Sequence, residues 1–248
     1  IRGQNTNNIT LQNSILAECV RGSLFGDTGY QSSKNNTFRN NVLYHMSHRL
    51  PNAATTEGND VYNNVVYDWK QRLTVTKDGA KMNHLNNYYY KGTRTGISYS
   101  WNGIADPMWY VNGITYEDAN AHNDESSRIA IYSTGNVIQD FYDGTQEVND
   151  KHIWMHHAGY LPDGTSISAS NQQRIKAGDE MFTNVIHPFA GVAPSNILTA
   201  EQAKTIIPEE AGANKSLNAD GSYTIYRDEA DQKYRDAIIN DTAESWET

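Results

Sequence analysis

An asparagine, usually doubled, recurs along the first third of this chain between two short apolar runs. It reads ITLQNSIL around Asn13, TFRNNVL around Asn40, VYNNVV around Asn63 and HLNNYY around Asn86, at spacings of 27, 23 and 23 residues. A fainter copy, IAIYSTGNVI, carries Asn136 a further 50 residues on, which the same ruler reads as about two repeats. A period in the twenties built from short alternating runs marks a β-solenoid, in which each turn is one unit. A leucine-rich repeat would show regular leucine spacing, and none is present. Asparagine at a recurring bend favours a parallel β-helix. Its stacked amides can hydrogen-bond along the stack and satisfy groups that the bends leave unpaired. The rival arrangement is a sandwich with Asn-rich turns, but such turns would not hold this register.

The chain has 248 residues, enough for one large domain with a sizeable core. Its net charge of −9 argues against nucleic acid as a partner, because phosphate binding needs a basic surface. Cys19 is the only cysteine, so no internal disulfide forms and the compartment stays open. No 18-residue apolar run occurs, so no helical membrane span is expected. The sequence opens at Ile1 without Met, and a repeat begins almost at once, at Asn8. A bare solenoid end would expose strand edges. An N-terminal fragment or an associated chain completing the solenoid is therefore expected.

Residues 93–127 break the period and read as a long excursion beside the stack. Tyr99, Trp101, Trp109 and Tyr110 within it could stack on sugar rings or pack the excursion onto the solenoid. Strand-like runs return over 128–190 as IAIYSTGNVI, KHIWMHH, SISAS and MFTNVI. From Leu198 the character changes. Thr199 and Gln202 form a capping box, a helix follows and stops near Pro208, and EADQKYRDAIIND forms a second helix or a wrapping tail. Residues 1–198 are thus expected to form the solenoid, and 199–248 a helical or irregular cap over its end.

The repeat also aligns basic residues. Arg21 and Arg94 lie eight residues past their ruler asparagines, and Arg49 and Arg72 nine past theirs. In register they form a column down one face, costly on an acidic protein unless a polyanion lies along it. The alternative is a set of solvated arginines in uneven loops. His45 and His48 flank Arg49 and either touch a ligand or line the loop. His152, His156 and His157 lack an obvious fourth ligand for a metal. Arg174-Ile175-Lys176 matches a motif of β-helical hydrolases, but their paired carboxylates have no Asp-Asp counterpart here.

Several motifs, in order, resemble the pectate lyases of polysaccharide lyase family 1. Arg21-Gly-Ser-Leu24-Phe-Gly26 fits that family's K-x-x-L-x-G, with Arg for Lys. Arg49-Leu50-Pro51 fits its Arg-x-Pro loop, and Tyr62-Asn63-Asn64 its following strand. TAEQAKTIIPEEAGAN with RDEADQKYRDAI looks like its C-terminal segment. The likeness covers roughly 9–92 and 197–240. It implies an all-β, right-handed single-stranded parallel β-helix with a C-terminal cap. It implies Arg49 as the catalytic base, with Arg21 and Lys77 binding substrate carboxylates, and the arginine column adds Arg72 to them. It also implies calcium as cofactor, an acidic polysaccharide such as polygalacturonate as partner, and a secreted or periplasmic location. Some members carry a second arginine where Ala54 stands, and the family's calcium carboxylates would lie upstream of Ile1, so no metal ligands are expected in this chain. Two other readings stay open: a lyase on another uronate-containing glycan, and a non-catalytic glycan-binding solenoid.

Overall fold

Each turn of the chain adds one short strand to each of three parallel sheets. The computed structural model describes residues 2–3, 6–25, 33–47, 49–53, 58–69, 74–77, 80–90, 108–111, 130–138, 150, 154–156 and 182–242. Sheet I takes β1 (Arg2–Gly3), β4 (Leu24–Phe25), β7 (Asn52–Ala53), β10 (Val75–Lys77), β13 (Met108–Val111) and β16 (Trp154–His156). Sheet II takes β2 (Thr10–Gln12), β5 (Asn36–Arg39), β8 (Asn59–Tyr62), β11 (Lys81–Leu85) and β14 (Ala130–Thr134). Sheet III takes β3 (Ile15–Ala17), β6 (Val42–Tyr44), β9 (Val65–Tyr67), β12 (Tyr88–Tyr90) and β15 (Val137–Ile138). Neighbours within each sheet come from successive turns and pair in parallel. The result is an all-β fold of parallel sheets.

The bends explain the asparagine signal. Asn13, Asn40, Asn63, Asn86 and Gly135 turn sheet II into sheet III, all with positive φ. Asn8, Asn35 and Gly58 do so between sheets I and II, and Glu18, His45 and Asp68 between sheets III and I. Asparagine tolerates the left-handed region better than most residues, and glycine has no Cβ to clash there.

The hydrogen-bonded stack lies one residue past each bend residue. The Asn41 amide donates to Asn64 Oδ1 at 3.0 Å, Asn64 to Asn87 at 2.9 Å, and Asn87 to Asn136 at 2.9 Å. The second amide proton of each reaches back to a carbonyl of the turn before: Leu11 for Asn41, Phe38 for Asn64, Val61 for Asn87 and His84 for Asn136. Backbone N–H groups of residues 14, 41, 64 and 87 donate to the same side-chain oxygens. Asp150 ends the ladder. Its carboxylate accepts from the Asn136 side chain, from Asn136 N and from Gly135 N, and need donate nothing. Burial raises the Asp150 pKa despite these bonds.

Asn136 is one turn beyond Asn87, not two, because Tyr88 pairs with Val137. The excursion lies inside that single turn. Its Met108–Val111 stretch is β13, paired with β10 and β16, so Trp109 and Tyr110 are strand residues rather than parts of a loop beside the stack. Tyr99, Trp101, Arg94, the SISAS run and Arg174–Lys176 lie outside the described residues.

Alternate residues point inward. Leu43, Val66, Tyr89 and Ile138 of sheet III meet Phe38, Val61, Met82 and Ile131 of sheet II, with Met46, Leu50, Trp69 and Trp154 closing the core. Sheet III is apolar on its outer face too. Tyr44 and Tyr67 stack there with ring centroids 5.4 Å apart, and Tyr90 follows at the same spacing. Helices α1 (Ala200–Glu210) and α2 (Glu229–Asn240) cover this face, burying Ala203, Ile207, Ala237 and Ile238 against it. The expected cover over the solenoid end is thus a lateral one. Continuous apolar runs such as VLY and YYY are what a strand buried on both faces requires. The capping box at Thr199 forms, and α1 runs two residues past Pro208. Lys204 Nζ sits 4.9 and 5.0 Å from the Tyr88 and Tyr90 ring centroids, pinning α1 to the sheet.

Phe182 bridges Ile131 of β14 in parallel, and the chain then runs along the outside of sheet II to residue 199. The Asn83 side chain exchanges two hydrogen bonds with the His187 backbone, Asn63 does the same with Leu198, and Asp60 accepts from Ala190 N. Burial raises the Asp60 pKa.

Two measurements test this account. Asn64→Leu keeps the volume but removes the shared acceptor of the Asn41 N–H and side-chain amide and takes a donor from Phe38 O and Asn87 Oδ1, so denaturant unfolding should give a loss of about 3 kcal/mol or more. Asn40→Gly keeps the left-handed bend and should stay within about 1 kcal/mol. Burial also pushes His84 down to about 3 from its ordinary 6.5. Between these values the unfolded chain holds a proton that the folded protein lacks. His84 therefore removes stability as pH falls through that window, by at most about 1.4 kcal/mol per pH unit. Asp60 and Asp150 act oppositely: their contribution is present below 3.8 and lost as pH rises through their raised values. In His84→Gln, stability should fall less steeply from pH 7 to pH 4 than in the parent, and equal slopes would refute the assignment.

Candidate functional site

The turn from sheet III to sheet I carries the arginine singled out by sequence. It starts at a stack of side chains in which His45 and Asp68 are buried and Glu18 reaches the surface. His45 Nδ1 lies 3.1 Å from Glu18 Oε1 on the turn below, and its Nε2 lies 3.4 Å from Asp68 Oδ2 on the turn above. Met46 then enters the core, Ser47 N donates to Cys19 O at 3.2 Å, and Leu50 fills the interior.

Between them Arg49 has φ 67°. The other described non-glycine residues at positive φ fall in the three bend columns or, at Asp241, end α2. Arg49 belongs to neither group. A bulky residue in this region carries strain that surrounding structure must hold in place.

That hold comes from both neighbouring turns. From below, Ser23 N donates to Arg49 O at 2.9 Å, and Asn52 N donates to Ser23 O at 2.9 Å. From above, Thr74 Oγ1 donates to Leu50 O at 2.9 Å. The Leu50–Pro51 peptide is cis. Arg49 is half-buried, and its Nε is buried without a hydrogen-bond partner among the described residues. None of the ion pairs among the described residues includes Arg49.

The other expected site residues fare unevenly. Arg21 is exposed on the turn below Arg49, one position before Gly22. Gly22, not Arg21, is the residue packed under the Arg49 carbonyl. The column is therefore offset by one residue at its first step. Lys77 lies in β10, paired with Val111 of β13, and its side chain lies outside the described residues, as do Arg72, His48 and Ala54. His45 is itself buried between Glu18 and Asp68 rather than on an open surface. His156 lies in β16, with its side chain, His152 and His157 outside the described residues. Among the described residues no three His, Cys, Asp or Glu side chains are grouped to hold a metal ion. None of the described helices is long and apolar enough to cross a membrane.

Sequence reasoning missed Gly22, Ser23 and Thr74. The signal was available for Gly22: the first repeat spacing, counted back from Arg49, lands on it.

No protein-family model matches the chain, and no curated protein matches it. Among solved structures it is similar to a thermostable pectate lyase, at 16% identity and a TM-score of 0.43, over 86% of this chain and 43% of that one. The chain spans less than half the length of that structure. At that identity and score the likeness carries no argument, and the reading of the site rests on its geometry and motifs.

Proposed function

We propose that this chain belongs to a polysaccharide lyase with the architecture of a right-handed single-stranded parallel β-helix, acting on pectate or a related uronate polymer outside the cytoplasm. The observation that carries the reading is Arg49: an arginine at a strained backbone position, clamped by both neighbouring turns, half-buried, and paired with no described carboxylate. The motifs around Arg21, Arg49 and Tyr62 support the same assignment.

In this reading the neutral Arg49 guanidine removes the proton on C5 of a uronate. That carbon is acidic because it lies α to the carboxylate. The C5–H electrons form the C4–C5 double bond, and the C4–O bond breaks with its electron pair leaving on the glycosidic oxygen. The leaving oxygen takes a proton from solvent. Arginine is an unusual base because it is normally protonated. Arg21, Lys77 and Arg72 are the residues proposed to bind substrate carboxylates. Calcium is part of the same proposal, but the described residues offer it no ligand set, and no step assigned here passes through it.

The test is turnover of polygalacturonate, followed by the ultraviolet absorbance of the unsaturated product. Arg49→Lys should lower kcat by a factor on the order of 100 to 10,000 while oligogalacturonate affinity stays within a few-fold. The parent rate should rise with pH above neutrality. A variant that keeps parental turnover, or a rate that peaks in acid, would end Arg49's role as the base.

A further inference from the structure

The position under Arg49 is built for a residue without a side chain. A Cβ on Gly22 would lie 2.3 Å from Arg49 O, 2.7 Å from Leu50 Cδ2 and 3.3 Å from the Arg49 carbonyl carbon. The first and third are backbone atoms, which cannot swing aside as a side-chain end can. Gly22 itself does not have the left-handed backbone that would call for glycine, so space alone excludes a larger residue. The next residue, Ser23, donates its N–H to the same Arg49 oxygen and accepts from Asn52 N. Just beyond, the pairing of Leu24 with Asn52 is one residue out of step with that of Ala17 with Tyr44. The upper turn thus takes in one extra residue, at Leu50–Pro51. The close approach at Gly22 lies where that extra residue must be absorbed.

We infer that Gly22 is a positioning residue for Arg49. Its missing side chain lets the lower turn press against the Arg49 peptide, and this contact, with the Ser23 bond below and the Thr74 bond above, sets where the guanidinium lies. The inference rests on the lyase reading for its effect on rate, but not for its effect on Arg49 itself. A Cβ here must displace the Arg49 backbone, and a small displacement of a reacting group costs up to about a hundredfold in rate.

Gly22→Ala tests this, with Gly191→Ala as control because nothing lies within 4 Å of a Cβ there. Two readouts are taken: steady-state kinetics on polygalacturonate, and the Arg49 Nε–H resonance, assigned by its loss in Arg49→Lys. Gly22→Ala should lower kcat roughly tenfold or more, leave KM within about twofold and shift the Arg49 resonance. Gly191→Ala should leave all three unchanged. If Gly22→Ala does not fold, Thr74→Val carries the test. It removes the hydroxyl bond to Leu50 O and should move the same resonance, with a smaller fall in kcat. A parental resonance and parental kcat in the folded variant would overturn the inference. A shifted resonance in a protein without lyase activity would support Gly22's positioning role and refute only the lyase reading.

Discussion

The structure depends on one recurring bond: a side-chain amide donating to the amide of the next turn. At each bend from sheet II to sheet III the backbone leaves the ladder, and its N–H must find an acceptor elsewhere. Asparagine supplies that acceptor and has two donors to spare. Asn64 accepts from Asn41, donates to Asn87 and returns its second proton to Phe38 O, so one side chain joins three turns. The ladder has a direction, and its two ends differ accordingly. Ser14 begins it with only a backbone donor, its hydroxyl turned to Gln12 O, and Asp150 closes it with oxygens alone. A slip of one residue would orphan every member at once, which makes this register far stricter than sheet pairing alone.

That strictness is what gives the turn from sheet III to sheet I its geometry. The bend at His45 is fixed by Glu18 below and Asp68 above, and Arg49 follows four residues later. The turns are held together on two outer faces as well. Helices α1 and α2 seal the tyrosine row of sheet III, and residues 182–199 are tied to sheet II through Asn83, Asp60 and Asn63. The III-to-I turn is therefore the place where one turn can carry an extra residue without disturbing the other two sheets.

Much of this was legible. The asparagine period gave the turns, and TAEQ gave the start of α1. Other features were hidden for identifiable reasons. The ruler asparagines are the left-handed bends, and the ladder uses their neighbours, because the two residues of each doublet serve different needs. Asn136 was counted two turns on because the sequence between Tyr90 and Ala130 puts β13 inside a long excursion, and a strand paired only through sheet I leaves no period in the chain. The lateral helices were readable in principle. VLY, VVY and YYY are apolar at every position, which a half-exposed strand would not be. Arg21 looked like the partner of Arg49 because it lies eight residues past its asparagine and Arg49 nine past its own, whereas the 27-residue register up to Arg49 sets Gly22 under it.

The means by which Arg49 is held bears on what it can do. An arginine fixed by a carboxylate would be well placed but locked in its charged form, since an opposite charge favours ionisation. Hydrogen bonds to its own peptide and to the next one fix the residue through the main chain, and no described carboxylate pairs with the guanidinium. The strained φ belongs to the same arrangement: it is held by the close approach of Gly22 under the Arg49 carbonyl, with no ion pair to Arg49 among the described residues. On the proposed reading, a group that gives up and regains a proton needs placement that does not depend on its charge. Backbone clamping from adjacent turns is a form of placement that this architecture supplies at every level of the stack.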